Sequence, residues 1–301
     1  MDIPVQEAKE IDAFEMRLAD IAAIDVDQLH ALSISVGWPH RAEDWDMLRA
    51  IGSGIVALDE IGRVLGSAMW FPHDDTFATV GMVITSPRLQ SLGTGNWLMQ
   101  HVFTQVGDRM LRLSATRAAR RLYLSLDFKP EKAVYQRQGE ATDPGEVQEP
   151  ARGGVIRRLD RDDLYAITRL DAAAFGVARS RLMADLIDQS EGYGLFREGR
   201  CEAFALCRRF GRGHVVGPLV AAGDEDAIAV LAPHVADHAR QFLRIDTHRE
   251  GGDFTLFLSR AGLPVYDTVL TMSLGRSCFI DPNKAMPNMP VTYALVSQAL
   301  G

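Results

Sequence analysis

Cysteine is scarce: Cys201, Cys207 and Cys278 are the only three in 301 residues. They show no metal-type spacing and are too few for a disulfide framework, so a reducing, cytoplasmic setting is expected. Long basic blocks are missing too. The nearest is Arg117 to Arg121, and the net charge of −8 argues against nucleic acid as a main partner. No run of eighteen apolar residues occurs, so no membrane span is expected. The opening MDIPVQEAKEIDAF is acidic and lacks an apolar core, unlike a signal peptide. No Gly-x-Ser-x-Gly elbow is present. What remains is 47% hydrophobic with near-zero mean hydropathy, the composition of a globular protein with a sizeable core. The length favours two domains.

The most informative stretch is Thr79 to Asn96, TVGMVITSPRLQSLGTGN. It reads as an apolar strand to Thr85, a break at Ser86-Pro87, and a glycine-containing turn, Gln90-Ser91-Leu92-Gly93-Thr94-Gly95. A helix then runs from Asn96 to Val106. Such a turn aims free backbone N–H groups one way at the positive end of a helix dipole, a seat for phosphate. Gly93 and Gly95 let the backbone approach an anion closely. No Lys-Ser/Thr follows, so this is not a P-loop. Only two of three Rossmann glycines fit, and the later acidic residue is missing.

Gln90, Gly93 and Gly95 match the Gln/Arg-x-x-Gly-x-Gly/Ala motif, and the segment resembles motif A of the GNAT superfamily of N-acetyltransferases. A second match lies downstream. A strand from Leu111 to Thr116 and a helix from Arg117 to Leu126 end in Leu122-Tyr123-Leu124-Ser125-Leu126-Asp127-Phe128. The family pattern is Leu-Tyr-x-x-x-Gly-Phe, from which Asp127 departs. The resemblance covers residues 14 to 141 well. It implies acetyl-CoA held at Gln90, Ser91, Leu92, Gly93, Thr94, Gly95 and Asn96. The backbone of Val83, Ile84 and Thr85 would take the pantetheine arm and thioester, and Arg117 and Arg120 would approach cofactor phosphates. Tyr123 would protonate the leaving thiolate as general acid, its unperturbed pKa of about 10 lying just above that of a thiol. The early helical pair usually covers the acceptor. Trp38, His40 and Arg41, with Asp44 and Trp45, are therefore candidate substrate contacts; a capped turn with aromatic packing is the competing reading.

Taken in order, residues 1 to about 12 read as a polar leader, followed by a strand at 14–21 and helices at 25–36 and 42–51. A hairpin at 54–58 and 64–71 turns at Asp59 to Gly62, and a closing strand lies at 133–140. Thr142 to Gly154, rich in Pro, Gly and charge, reads as a linker. The second half repeats the element order, with strands near 155–159, 193–197, 203–208, 215–220, 242–247 and 266–273. Its helices fall at 162–175, 179–189, 225–241 (with Pro233 as a kink or break) and 254–261. The expected fold is α/β: two tandem GNAT-like domains, each a mixed, mostly antiparallel sheet flanked by helices. Their bounds are 1–141 and 155–276, with a tail at 277–301 that ends in a short helix from Tyr293 to Leu300 and docks on a domain or on another subunit. A homodimer is left open.

The second copy has Asp224, Glu225 and Asp226 where the first has its glycine turn, and Leu258 where the first has Tyr123. Three carboxylates suit a helix start but repel pyrophosphate, so this copy reads as degenerate. His234 and His238 stand four apart with Asp237 or His248 as a third ligand; packing is the simpler reading, and no metal is expected. Cys201 and Cys207 read as small buried residues on separate parts of a strand pair. Arg179 and Arg181 read as a solvated helix start; contact with an acidic substrate group is the competing reading. The expected activity is acetyl-CoA-dependent N-acetylation of a small-molecule amine, the negative charge favouring a cationic acceptor. His73, Asp74, Asp75 and Asp44 are candidate bases. The alternative is a non-catalytic acyl-CoA sensor or regulatory binding module.

Overall fold

The structure, a computed structural model, describes residues 8–11, 14–90, 92–143, 145, 150, 153–275 and 289–301. The chain packs as two compact units, Met1–Leu113 and Ser114–Gly301.

The first unit opens with strands β1 (Ala8–Ile11) and β2 (Phe14–Asp20), so the expected polar leader contains a strand. Helices α1 (Val26–Ser35) and α2 (Ala42–Ile51) follow, then β3 (Ser53–Leu58), β4 (Val64–Pro72), β5 (Phe77–Thr85), α3 (Thr94–Val106) and β6 (Met110–Ala115). β1 to β5 pair antiparallel in chain order, while β6 lies parallel to β5. A parallel pair needs a crossover, and α3 supplies it. Leu98, Met99, Val102 and Val106 form its buried stripe at helical spacing against β4 and β5. The Asp25 carboxylate starts α1 by accepting the Asp27 N–H at 2.9 Å. Asp59 closes the β3–β4 hairpin by accepting the Ile61 and Arg63 N–H groups.

The second unit contains α4 (Arg120–Ser125), β7 (Lys129–Glu140), β8 (Val155–Arg158), α5 (Leu164–Phe175), α6 (Ser180–Gln189) and β9 (Glu191–Arg197). It continues with β10 (Arg200–Phe210), β11 (Gly213–Ala221), α7 (Asp224–Asp237), β12 (Phe242–Thr247), α8 (Asp253–Arg260), β13 (Val265–Leu274) and β14 (Val291–Ala294). Its sheet runs β13-β7-β12-β11-β10-β9-β8, with β14 on β11. The core joins β11, β12, α7 and α8 through Val216, Leu219, Val230, Leu231, Leu243, Ile245, Phe254 and Leu258. β7, the expected closing strand of the first repeat, is hydrogen-bonded to β12 and β13. Compactness thus divides the chain after Leu113, whereas the repeat of element order divides it at 142–154.

Several expectations change here. α7 continues through Pro233 without a break and ends at Asp237 rather than Gln241: the Ala239 N–H tightens onto the Ala236 carbonyl and the Arg240 N–H leaves for the Ala141 carbonyl at 2.7 Å. Residues 291–294 form a strand where a helix from Tyr293 was expected. Arg179 is no solvated helix start. It is 1% exposed, paired with the fully buried Asp171 at 2.6 Å, and lies 3.8 Å over the Phe175 ring. Cys201 and Cys207 share one strand, β10, and burial pushes both thiols up to about 12. Cys278 lies outside the described residues.

Candidate functional site

In the first unit the site grows from an asymmetry of β5. One edge pairs with β4 as far as Thr85. The other pairs with β6 only from Phe77 to Val80, so Gly81 to Thr85 have no strand partner there among the described residues. The β4–β5 register slips between Ser67 and Met69, and Met82 takes a positive φ of 51°, the mark of a bulge. Ser67, fully buried, fixes that bulge by donating its hydroxyl to the Met82 carbonyl at 2.7 Å. Sequence reasoning missed Ser67; its only signal was a hydroxyl inside an apolar strand. Beyond the bulge, the Ser86 N–H donates to Leu65 on the β4 side at 2.8 Å. Strand alternation then turns the Ile84 N–H toward β4 as well, and the Val83 and Thr85 N–H groups toward the open edge.

The turn follows. Pro87–Leu89 make a single 3-10 turn, Gln90 is extended and exposed, and Ser91 lies outside the described residues. Leu92 is exposed. Gly93 caps α3 at φ 81°, a left-handed conformation that favours glycine. The helix begins at Thr94, two residues earlier than expected, so Thr94, Gly95 and Asn96 form its first turn. The first intrahelical bond runs from Trp97 N–H to Gly93 O at 3.1 Å. The three preceding N–H groups meet no acceptor among the described residues. No side chain among the described residues caps this end, and no carboxylate lies in its first turn. Thr94 is 1% exposed, and its hydroxyl has no partner among the described residues. An anion would satisfy these donors and the dipole together.

In the second unit, Tyr123 sits on α4 at 4% exposure, edge-on to Phe128 with ring centroids 5.7 Å apart. Burial pushes its phenol well above the ordinary value. Asp127 takes the left-handed conformation, φ 63°, that the family's glycine takes without strain. Arg120 opens α4, Arg117 precedes it, and both are exposed.

At the α1–α2 junction, Trp38 and His40 lie with ring centroids 5.7 Å apart, and His40 lies 6.4 Å from Trp45. Trp38, His40 and Arg41 are partly exposed. Trp45 is fully buried, its indole N–H donating to Ser33, and belongs to the core. Asp44 is bound to Arg41 at 2.7 Å. Asp74 is committed to its loop through the Thr76 and Phe77 N–H groups. Burial pushes its carboxyl up, but these bonds prevail and hold it below the usual range. His73 contacts the Thr79 hydroxyl at 3.2 Å, and the exposed Asp75 faces Arg109 at 3.9 Å.

The corresponding turn of the second copy is built differently. Asp224, Glu225 and Asp226 occupy the first turn of α7, yet none caps that helix. Asp224 accepts the Phe254 N–H in the first turn of α8, together with Arg249 and the Tyr293 hydroxyl. Asp226 pairs with Arg197 at 2.6 Å. Leu258 is fully buried. His234 does not face a metal: its Nε2 meets the Ala205 carbonyl, and His238 Nδ1 meets the His234 carbonyl. His248 Nδ1 is taken by the Ala133 carbonyl. Among the described residues no group of three His, Cys, Asp or Glu could hold a metal ion. No described helix is long and apolar enough to cross a membrane.

Comparison with known families bears on both units. A model of an acetyltransferase (GNAT) domain matches residues 51–130, and a second model of the same description matches 167–286. The chain belongs to the GNAT acetyltransferase family. An uncharacterized N-acetyltransferase of Bacillus subtilis (strain 168), YitH, is 26% identical over 283 residues, spanning 92% of this chain and 95% of the relative. A crystal structure from Pyrococcus horikoshii aligns over 98% of this chain and 99% of its own, with TM-score 0.76 and 18% identity. A tandem GNAT protein from the clavulanic acid biosynthesis pathway, 14% identical, aligns over 87% of this chain and all of its own with TM-score 0.63. At these identities the structural likeness speaks for the fold: two GNAT domains of mixed sheet and helices in one chain.

Proposed function

We propose that the chain is an acetyl-CoA-dependent N-acetyltransferase whose working copy is the first repeat, residues 1–141. The observation that carries this reading is the uncapped first turn of α3 behind Gly93, next to the unpaired edge of β5. In this reading the N–H groups of Thr94, Gly95 and Asn96, reached through Gln90, Ser91 and Leu92, hold the pyrophosphate, and Arg117 and Arg120 meet outer phosphates. Val83 and Thr85 use their open-edge N–H groups on the pantetheine arm and thioester. Ile84, whose N–H is spent on β4, contributes shape rather than a donor.

The thioester supplies the acetyl group. The Val83 N–H is aimed where negative charge grows on the carbonyl oxygen, a donor of the type typically worth about 3 kcal/mol. Tyr123 holds the proton for the departing thiolate, and burial keeps it protonated. The attacking amine must shed a proton. The four candidate bases are Asp44, paired with Arg41, Asp74, held by its own loop, His73, in contact with the Thr79 hydroxyl, and Asp75, facing Arg109. Trp38, His40 and Arg41 are the proposed contacts of a small-molecule amine acceptor. A non-catalytic acyl-CoA sensor would share the turn but have no use for the phenol.

Titration of the full chain with acetyl-CoA, by calorimetry and thermal shift, tests this. Saturable binding is expected, with stabilisation of about 2.7 kcal/mol at a hundredfold excess over Kd. A Gly93→Glu variant, which puts a carboxylate at the N-cap and a side chain at a positive φ, is expected to lose it. No binding to the intact chain would overturn the reading.

A further inference from the structure

We infer that residues 291–301 are a permanent occupant of the second GNAT fold, laid along the strand edge that the first fold leaves open. β11 pairs in parallel with β12 only from His214 to Val216, just as β5 pairs with β6 only along its first half. In the second copy the remainder of the edge is filled: Leu219, Val220 and Ala221 pair antiparallel with β14. The segment then crosses to the other diverging strand, where the Leu295 N–H donates to the Asp246 carbonyl at 2.8 Å. One stretch of chain thus satisfies the free backbone of both strands, as an added strand does in peptide recognition.

Its direction follows the geometry of the working copy. Val291 pairs with Ala221, next to the start of α7, and Ala294 pairs deeper with Leu219. At the helix end the Tyr293 hydroxyl donates to Asp224 at 2.8 Å, and Arg249 lies 4.8 Å over the Tyr293 ring. Where α3 presents open N–H groups, α7 presents a carboxylate that this segment binds. At the deep end, any Cβ on Gly217 would overlap the Leu295 carbonyl oxygen, so glycine is required for the approach.

The segment is held from below by side chains that are themselves buried. Arg208 donates to the Val296 carbonyl at 3.0 Å, and Arg179 donates to the Leu300 and Gly301 carbonyls at 3.0 and 2.9 Å. Tyr293, Ala294 and Val296 are at most 2% exposed. Such burial makes the segment part of the core of its unit and leaves no free edge for a ligand.

Hydrogen exchange on the full chain tests this. Peptides covering 291–296 are expected to exchange within tenfold of those covering β11 and β12, because they open only when the unit unfolds. Exchange more than tenfold faster would mean that the segment leaves on its own, and would overturn the inference. A chain ending at Met289 supplies a second readout. It is expected to melt lower and bind an apolar dye, with both effects reversed by a synthetic peptide of residues 290–301. An unchanged melting temperature and no dye binding would equally overturn it.

Discussion

Two buried titratable side chains carry opposite kinds of information. Tyr123 is buried as a neutral phenol, and its proposed task needs the proton it keeps. A Tyr123→Phe variant should lose at least about a hundredfold in kcat, in the range of general acid catalysis, while its acetyl-CoA Kd stays within about twofold. Unchanged turnover would instead favour a role for the chain that makes no use of the phenol. His234 is buried without a task in catalysis. Burial pushes its imidazole down to about 4 from an ordinary 6.5. The folded state therefore binds this proton less readily than the unfolded chain. The stability it secures is complete above pH 6.5 and is lost as pH falls from 6.5 toward 4, by about 3 kcal/mol. Urea denaturation at pH 7.5 and 4.5 should show that loss, and a His234→Asn variant should show a flatter pH dependence; equal slopes would assign the acid sensitivity to other groups. Neither burial was legible locally. The same holds for Arg179, read from sequence as solvated, because its partners Asp171, Leu300 and Gly301 come from other elements.

Elements were legible where their own residues decide them. The stripe Leu98, Met99, Val102, Val106 announces α3, and Asp59 to Gly62 announces a hairpin turn; both stand as expected. Boundaries set by backbone conformation were less so. The start of α3 moved to Thr94 because Gly93 takes the left-handed cap, and α4 shrank to Arg120–Ser125. Two strands were missed outright, β1 and β14. Val291, Thr292 and Tyr293 all favour strands, but a run this short forms one only because the free edge of β11 is there to receive it. The bulge at Met82 was hidden for the same reason, since a register slip belongs to two strands. Just beyond α4 the departure at Asp127 makes a direct test. Its φ of 63° is strained for aspartate and easy for glycine. An Asp127→Gly substitution should raise stability by a few tenths to about 1 kcal/mol in chemical denaturation without changing activity. A loss of stability would mean that the Asp127 side chain contributes more than its backbone costs.

At the scale of the molecule, the proposed reading has one fold kept for chemistry in one copy and for structure in the other. Among the described residues, the first leaves half a strand edge and a helix N-terminus unsatisfied; the second spends acidic residues and a strand of its own on the same positions. Unsatisfied backbone is costly unless a ligand completes it, so leaving it in one copy and covering it in the other points to the first as the working site. The chain's charge adds a constraint on what reaches that site. At −8 overall, it attracts cations over a Debye length of about 10 Å at 0.1 M salt. If the acceptor is a cationic amine, kcat/KM for a diamine should fall several-fold between roughly 0.01 and 0.2 M salt while kcat holds. A matched acceptor with no second charge should respond far less, because only the encounter step feels the field. Equal salt dependence for the two would remove charge from the account of acceptor choice and leave Trp38, His40 and Arg41 to act by shape.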